Sequence, residues 1–156
     1  MSITLKKKPS LHQYYIKGAD LQRVKQHVYL GVTISDDLSW TTHCQKTVSK
    51  ASRTLGMLRR TLSACSKEVK AGAYLSLVRP QLEYSGEAWN PYTQCDINRV
   101  EQVQRQAARF VHADYRRTTP VTPLVQKLQW DTLHFFTSDE PSYHVLQDTY
   151  LQLSTF

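Results

Sequence analysis

Lys46-Thr47-Val48-Ser49-Lys50-Ala51-Ser52-Arg53-Thr54-Leu55-Gly56-Met57-Leu58-Arg59-Arg60-Thr61-Leu62 is the stretch that decides the fold of this chain. Along it Lys46, Lys50, Arg53, Met57 and Arg60 recur at alternating spacings of four and three, while Val48, Ala51, Leu55, Leu58 and Leu62 keep the complementary rhythm. Side chains three and four apart share a helix face, so the two interleaved rhythms define one helix with an apolar stripe and an opposed basic stripe. The apolar stripe can be buried against neighbouring helices. The basic stripe has almost no acidic partner on its own helix, and a polyanion is the first partner such a face suggests.

Working outward, Ser35-Asp36-Asp37-Leu38-Ser39-Trp40 breaks the pattern upstream, and Ser39 or Thr41 can cap the helix. Residues 1–34 read as β: 3–5, 14–16 and 28–34 are short runs rich in β-branched and aromatic residues, separated by Pro9-Ser10 and Gly18-Ala19-Asp20. Three short strands bury too little to stand alone, and they are expected to need a continued sheet or a helical layer, as the tail of an upstream unit would. The lysines at 6–8 read as a solvated turn.

Downstream, Ser63-Ala64-Cys65-Ser66 is a turn and a second helix begins near Lys67, with Ser66 as N-cap, Glu68 in the first turn and Val69, Ala73 and Leu77 on one apolar face. Pro80 lacks an amide hydrogen and clashes with the preceding turn, so the helix should kink or restart at Arg79-Pro80. Leu82, Tyr84 and Trp89 are expected to continue the apolar lining as far as Asn90-Pro91. Thr93 and Asp96 have the spacing of a capping box, opening a third helix. Its inner face is Ile97, Val100, Val103, Ala107, Phe110 and Val111, and its outer side carries Arg99, Gln102, Arg105, Gln106 and Arg109. A loop over 114–123 holds Arg116 and Arg117. Short helices are expected over about 123–128 and around 130–136, and beyond Thr137 clear periodicity is lost.

The 156 residues suit one domain with a real core, and the net charge of +7 hides a gradient. Residues 1–60 hold eleven Lys/Arg against three Asp, 61–120 eight against six acids, and 121–156 one against four. That asymmetry describes a directed electrostatic surface rather than a uniformly cationic chain. Cys44, Cys65 and Cys95 are odd in number and form no Cys-x-x-Cys pair, which argues against a disulfide framework or zinc ribbon and for an intracellular setting, nuclear or cytoplasmic. No secretory leader or membrane-length apolar run is present in the sequence, so no membrane partner is expected.

Enzyme chemistry finds little support. Asp36-Asp37 could hold divalent ions only with a third converging carboxylate, and the pair reads better as a turn in which Asp satisfies free amides. His43 beside Cys44 lacks the paired spacings of a metal site and reads as ordinary helix. The glycines are isolated, so there is no phosphate-binding loop, and no hydrolase motif stands out. Tyr74, Tyr84, Trp89 and Tyr92 could stack on bases, but helical spacing favours burial for Tyr74 and Trp89. Arg79, Arg105, Arg109, Arg116 and Arg117 could grip phosphates, some pairing instead with Glu83, Glu87, Glu101 or Asp114.

These landmarks also occur together in a recognisable order. Val28-Tyr29-Leu30-Gly31-Val32-Thr33-Ile34-Ser35-Asp36-Asp37-Leu38-Ser39-Trp40 resembles the strand and exit that follow the catalytic palm in reverse transcriptases of LINE-type, non-LTR retrotransposons, especially the jockey-like kind. Residues 50–60, then 74–84, then Trp89-Asn90-Pro91-Tyr92, then 96–111 look like successive segments of the region downstream of that palm. The resemblance covers roughly 20–133. It departs at Cys44, where an apolar residue is usual, at Gly86, and after Leu133, where Phe135-Phe136-Thr137-Ser138-Asp139-Glu140 replaces the family's arginine-rich helix.

The resemblance implies that Tyr29, Leu30 and Gly31 are similar to the primer-grip strand and that the following helices form a thumb, which holds the template–primer duplex. The family's aromatic-x-Asp-Asp box lies upstream of such a strand, so magnesium would be held by a palm outside this chain, and no cofactor and no catalysis are expected of these residues. The expected fold is mainly α (α+β), with short N-terminal β strands followed by a thumb-like helical bundle: a palm-edge segment over 1–36, a helical domain over 37–133 and a divergent tail over 134–156. The expected partner is RNA or an RNA–DNA hybrid, its backbone phosphates tracked by Lys46, Lys50, Arg53 and Arg60 with Arg99 and Arg105. The missing palm or another protein is the further partner. The alternative is a decayed or domesticated remnant acting as a helical protein-interaction module without nucleic-acid affinity.

Overall fold

Consecutive positive φ angles at Leu30 (47°) and Gly31 (82°) turn the chain back on itself in the middle of the apolar run at 28–34. The result is a hairpin rather than one strand: β3 (Gln26–Tyr29) pairs antiparallel with β4 (Val32–Ser35), with Tyr29 opposite Val32. Two central residues with φ above zero are the signature of a type I′ connection, whose twist matches that of the flanking strands. The same device, Lys17 at 48° and Gly18 at 79°, joins β1 (Tyr15–Ile16) to β2 (Ala19–Asp20). A run of β-branched residues carries no mark of where it doubles back, and Leu is a poor advertisement for a left-handed turn. The computed structural model describes residues 13–116, 118–130 and 133. The expected strand at 3–5, the lysines at 6–8, Arg117, most of the expected helix at 130–136 and the segment from 134 lie outside the described residues.

The hairpins precede α1 (Thr41–Thr61), α2 (Lys67–Leu77), α3 (Arg79–Glu83), α4 (Gly86–Trp89), α5 (Gln94–His112) and α6 (Thr122–Lys127), so the chain is mainly α with a β N-terminus. It divides into compact units, one taking in Met1–His43 and another running Cys44–Phe136. In the first, the β3–β4 hairpin is tied to the opening turn of α1. The Thr33 amide donates to His43 Nδ1 at 3.1 Å, and Gln26 Nε2 donates to Thr42 Oγ1 at 3.1 Å. Val32, Thr33, Ser35 and His43 are buried.

In the second unit α5 is central. Its buried residues Asp96, Val100, Val103, Gln104, Ala107, Ala108, Phe110 and Val111 spread over roughly 160° of the helix circumference at about 100° per residue, too wide for a single packing partner. α1 lies on one side of it: Cys44 Sγ donates to the Asp96 carbonyl at 3.5 Å and Arg59 to the Gln106 carbonyl at 3.0 Å. α2 lies on another, with the Tyr74 hydroxyl donating to Gln104 Oε1 at 3.5 Å and Lys70 Nζ sitting 5.6 Å from the Phe110 ring centroid. Ala107 and Ala108 are fully buried, their small side chains allowing close approach. The capping box forms as spaced: Thr93 Oγ1 accepts from the Asp96 amide at 3.2 Å and donates to its carboxylate at 2.8 Å. Ser66 caps α2, and Pro80 sits in the first turn of α3, which restarts the helix as expected.

The buried face of α2 is not the one its aliphatic residues suggest. Val69 and Leu77 are exposed and Ala73 is half-buried, whereas Lys70, Tyr74 and Val78 point inward. Tyr74 stacks on Trp130 with ring centroids 4.3 Å apart, and burying that aromatic area outweighs burying a valine and a leucine. Lys70 is tolerated there because its alkyl stem is apolar and its ammonium meets the electron-rich face of Phe110. Tyr84 is likewise exposed instead of lining the core. Its carbonyl accepts from Trp89 Nε1 at 2.8 Å, which lets the fully buried indole satisfy its only polar atom.

Candidate nucleic-acid interface

α1 carries the candidate interface. Its core stripe, Cys44, Ala51, Leu55 and Leu58, is buried, with Val48 and Leu62 half-buried along the same line. Lys46, Lys50, Arg53, Met57 and Arg60 are all exposed. At roughly 100° per residue the basic residues span roughly 80° and centre roughly 150° from the core stripe. Lys50, Arg53 and Arg60 make no ion pair among the described residues, and α1 contains no Asp or Glu over its 21 residues. From Lys46 to Arg60 the ridge runs about 21 Å at 1.5 Å per residue. A duplex presents a charge every ~1.7 Å of axis, so such a length faces about twelve phosphates on the two strands together.

The other arginines divide by the partner the fold gives them. Arg99 donates to Asp96 Oδ1 at 2.8 Å, and that carboxylate is almost fully buried, so the guanidinium is drawn into closing the cap of α5 rather than left for a phosphate. Arg105 is exposed on α5 and makes no ion pair among the described residues. Arg79 is held by Glu83 at 2.8 Å. Arg109 threads the loop after α5, donating to the carbonyls of Asp114, Arg116 and Thr119, and is structural. Arg59 spends one amino group on Gln106 and stands 5.9 Å from the Tyr115 ring centroid.

Tyr29, Leu30 and Gly31 sit at the end of β3 and in its turn, so only Tyr29 of the three is strand. Tyr29 and Leu30 are 62% and 74% exposed, which leaves an aromatic ring and an aliphatic side chain outward at a hairpin tip. Among the four aromatics considered for base stacking, Tyr74 and Trp89 are fully buried and Tyr84 and Tyr92 exposed.

The remaining polar candidates have structural duties. Asp37 Oδ1 accepts from the Ser39 amide at 2.9 Å, the turn role expected of it. His43 Nδ1 is taken by Thr33, and Cys44 behaves as the apolar residue its position calls for: it is fully buried, and burial pushes its thiol up to about 12. Among the described residues no three His, Cys, Asp or Glu side chains gather as a metal site requires, and no helix is long and apolar enough to cross a membrane.

One feature escaped the sequence pattern. The C-terminal end of α5 and the following loop, with α6, border an open surface depression of about 570 Å³ whose wall includes Tyr115, Arg116 and Lys127. Its parts come from three segments with no shared periodicity, and the only local signal was the Asp114-x-Arg116 turn. Compared with known proteins, the chain matches no family model, no curated protein and no solved structure.

Proposed function

We propose that this chain is a thumb-type, nucleic-acid-holding region of a non-LTR retrotransposon RNA-directed DNA polymerase, contributing position rather than bond chemistry. The observation that supports it is the exposed cationic ridge Lys50, Arg53 and Arg60, extended by the exposed Lys46, on a helix that contains no Asp or Glu and whose opposite face is committed to the core. Such a ridge neutralises backbone phosphates of an RNA–DNA hybrid without reading bases. Arg105 adds a further exposed cation, while Arg99 acts through Asp96. The exposed Tyr29–Leu30 tip fits the primer-grip role that the resemblance assigns it. Magnesium chemistry belongs, in this reading, to a palm.

A second reading is favoured by one specific feature: α2 exposes Val69, Leu75 and Leu77, all above 40%. Apolar area of this kind suits a helical module that binds protein. Titrating the full chain into a labelled RNA–DNA hybrid, with size-exclusion chromatography alongside, separates the two. Hybrid binding by a monomer supports the ridge; self-association with no affinity for the hybrid supports the module.

A further inference from the structure

From Gln81 to Asp96 the chain runs back along one flank of α1. Gln81 Nε2 donates to Thr54 Oγ1 at 3.2 Å, and Cys44 Sγ donates to the Asp96 carbonyl at 3.5 Å. The two ends of this stretch are therefore pinned to α1 at points roughly 15 Å apart along its axis, and the ridge cations between those points are Lys46, Lys50 and Arg53. Thr54 stands roughly 40° round α1 from Lys50, on the side that leads to the buried Ala51. α3 thus borders the ridge itself.

Tyr84 lies early on this stretch and is 56% exposed. Leu82, just before it, is fully buried, and positions i and i+2 stand roughly 160° apart about a helical turn, so the Tyr84 ring is on the outer side of α3. Its carbonyl accepts from the buried Trp89 Nε1 at 2.8 Å, which fixes the backbone that carries the ring. The acids nearby differ in what they can do. Glu83 is held by Arg79 at 2.8 Å, whereas Glu87 on α4 is exposed with no ion pair among the described residues.

We propose, taking the ridge as the phosphate-binding face, that Tyr84 is a stacking platform for an unpaired base, so that the nucleic acid this surface fits is an RNA–DNA hybrid carrying a single-stranded overhang. Lys46, Lys50 and Arg53 hold the backbone on the α1 side, and Glu87 repels phosphate from the α4 side. The base, which carries no charge, turns onto the phenol ring. A ring face accepts any base, but bases within the hybrid are already stacked on one another, and the platform therefore selects the unpaired one.

Fluorescence anisotropy of the full chain with a labelled hybrid that is blunt, carries a short single-stranded overhang on either strand, or carries an overhang of abasic residues tests this. The overhang is expected to tighten binding about tenfold over the blunt hybrid, and the abasic overhang, which keeps the phosphates and loses the bases, is expected to bind like the blunt one. In Tyr84→Ala the ratio of overhang to blunt affinity should fall to about one, whereas Tyr84→Phe should keep it, because the ring and not the hydroxyl stacks. Circular dichroism checks that both variants fold. Tyr92, the other exposed ring of the stretch, lies beyond Trp89 towards the Cys44 end, and Tyr92→Ala should keep the gain. No gain from the overhang, a gain that the abasic overhang reproduces, or a gain that survives Tyr84→Ala overturns the proposal. A blunt hybrid held by the ridge while the overhang adds nothing refutes the platform alone. An overhang gain lost in Tyr84→Ala, in a chain indifferent to Lys50→Ala/Arg53→Ala, supports the platform and refutes the ridge.

Discussion

Removing two charges from the α1 ridge should change the salt dependence of hybrid binding by an amount the structure fixes in advance. Each neutralised phosphate contributes about −0.9 to the slope of log affinity against log salt, so Lys46, Lys50, Arg53 and Arg60 together give about −3.6. Raising salt from about 50 to about 200 mM then weakens binding about 150-fold. In Lys50→Ala/Arg53→Ala the slope falls to about −1.8 and the same salt step costs only about twelvefold. Both side chains are exposed and unpaired among the described residues, so the double variant should keep the fold to within about 0.5 kcal/mol. Fluorescence anisotropy of a labelled hybrid over that salt range, with circular dichroism as the folding control, measures the slopes. Arg79→Gln is the internal control, because that guanidinium is already held by Glu83 at 2.8 Å and its loss should leave the slope alone. A wild-type slope shallower than about −1, or equal slopes in wild type and double variant, refutes the reasoning.

Three further outcomes test the fold beneath the ridge. A Cβ added at Gly72 meets nothing within 4 Å, so Gly72→Ala should raise stability by about 0.5–1 kcal/mol through helix propensity and chain entropy, read as a higher urea midpoint with unchanged m. Trp89→Ala removes a fully buried indole and should cost about 3–5 kcal/mol or abolish cooperative unfolding in a thermal melt. Burial raises the Cys44 thiol from 9.0 to about 12, so below pH 9 this group adds no pH dependence; above it the unfolded thiol ionises first, and stability falls by up to about 1.4 kcal/mol per pH unit until the folded thiol also ionises. Denaturant midpoints at pH 8 and pH 10 should show the drop in wild type and a smaller one in Cys44→Ala.

The elements legible in the sequence were those whose signal is local and repeated. α1 and α5 announced themselves through periodicity, and the caps Ser66 and Thr93 through residue types that satisfy orphan amides. What the pattern misjudged was every place where one large or unusual side chain decides. On α2 the burial of Tyr74 was legible from its spacing, but the aliphatic stripe of Val69 and Leu77 lost the inner face to it, because stacking on Trp130 depends on a residue 56 positions away that no window includes. Lys70 scores as polar in any pattern, yet its stem and the Phe110 ring make it an inward residue.

The same reasoning explains why the ridge could be read and the depression beyond α5 could not. Exposure of Lys50, Arg53 and Arg60 follows from burial of Ala51, Leu55 and Leu58, since a helix that commits one face to the core has no choice about the other. Whether a cation is free is a different matter, settled by tertiary neighbours: Arg99 looked equivalent to Arg105 on α5, but it stands one turn from the buried Asp96 and is captured by it, whereas Arg105 is not. The depression depends wholly on such neighbours. Asp114 is engaged by Arg116, the loop carbonyls of Asp114, Arg116 and Thr119 by Arg109, and the Arg109 and Phe110 carbonyls by the Ala113 amide, and each engagement needs the chain to have already turned at Ala113, whose φ of 53° no residue type in the sequence foretold.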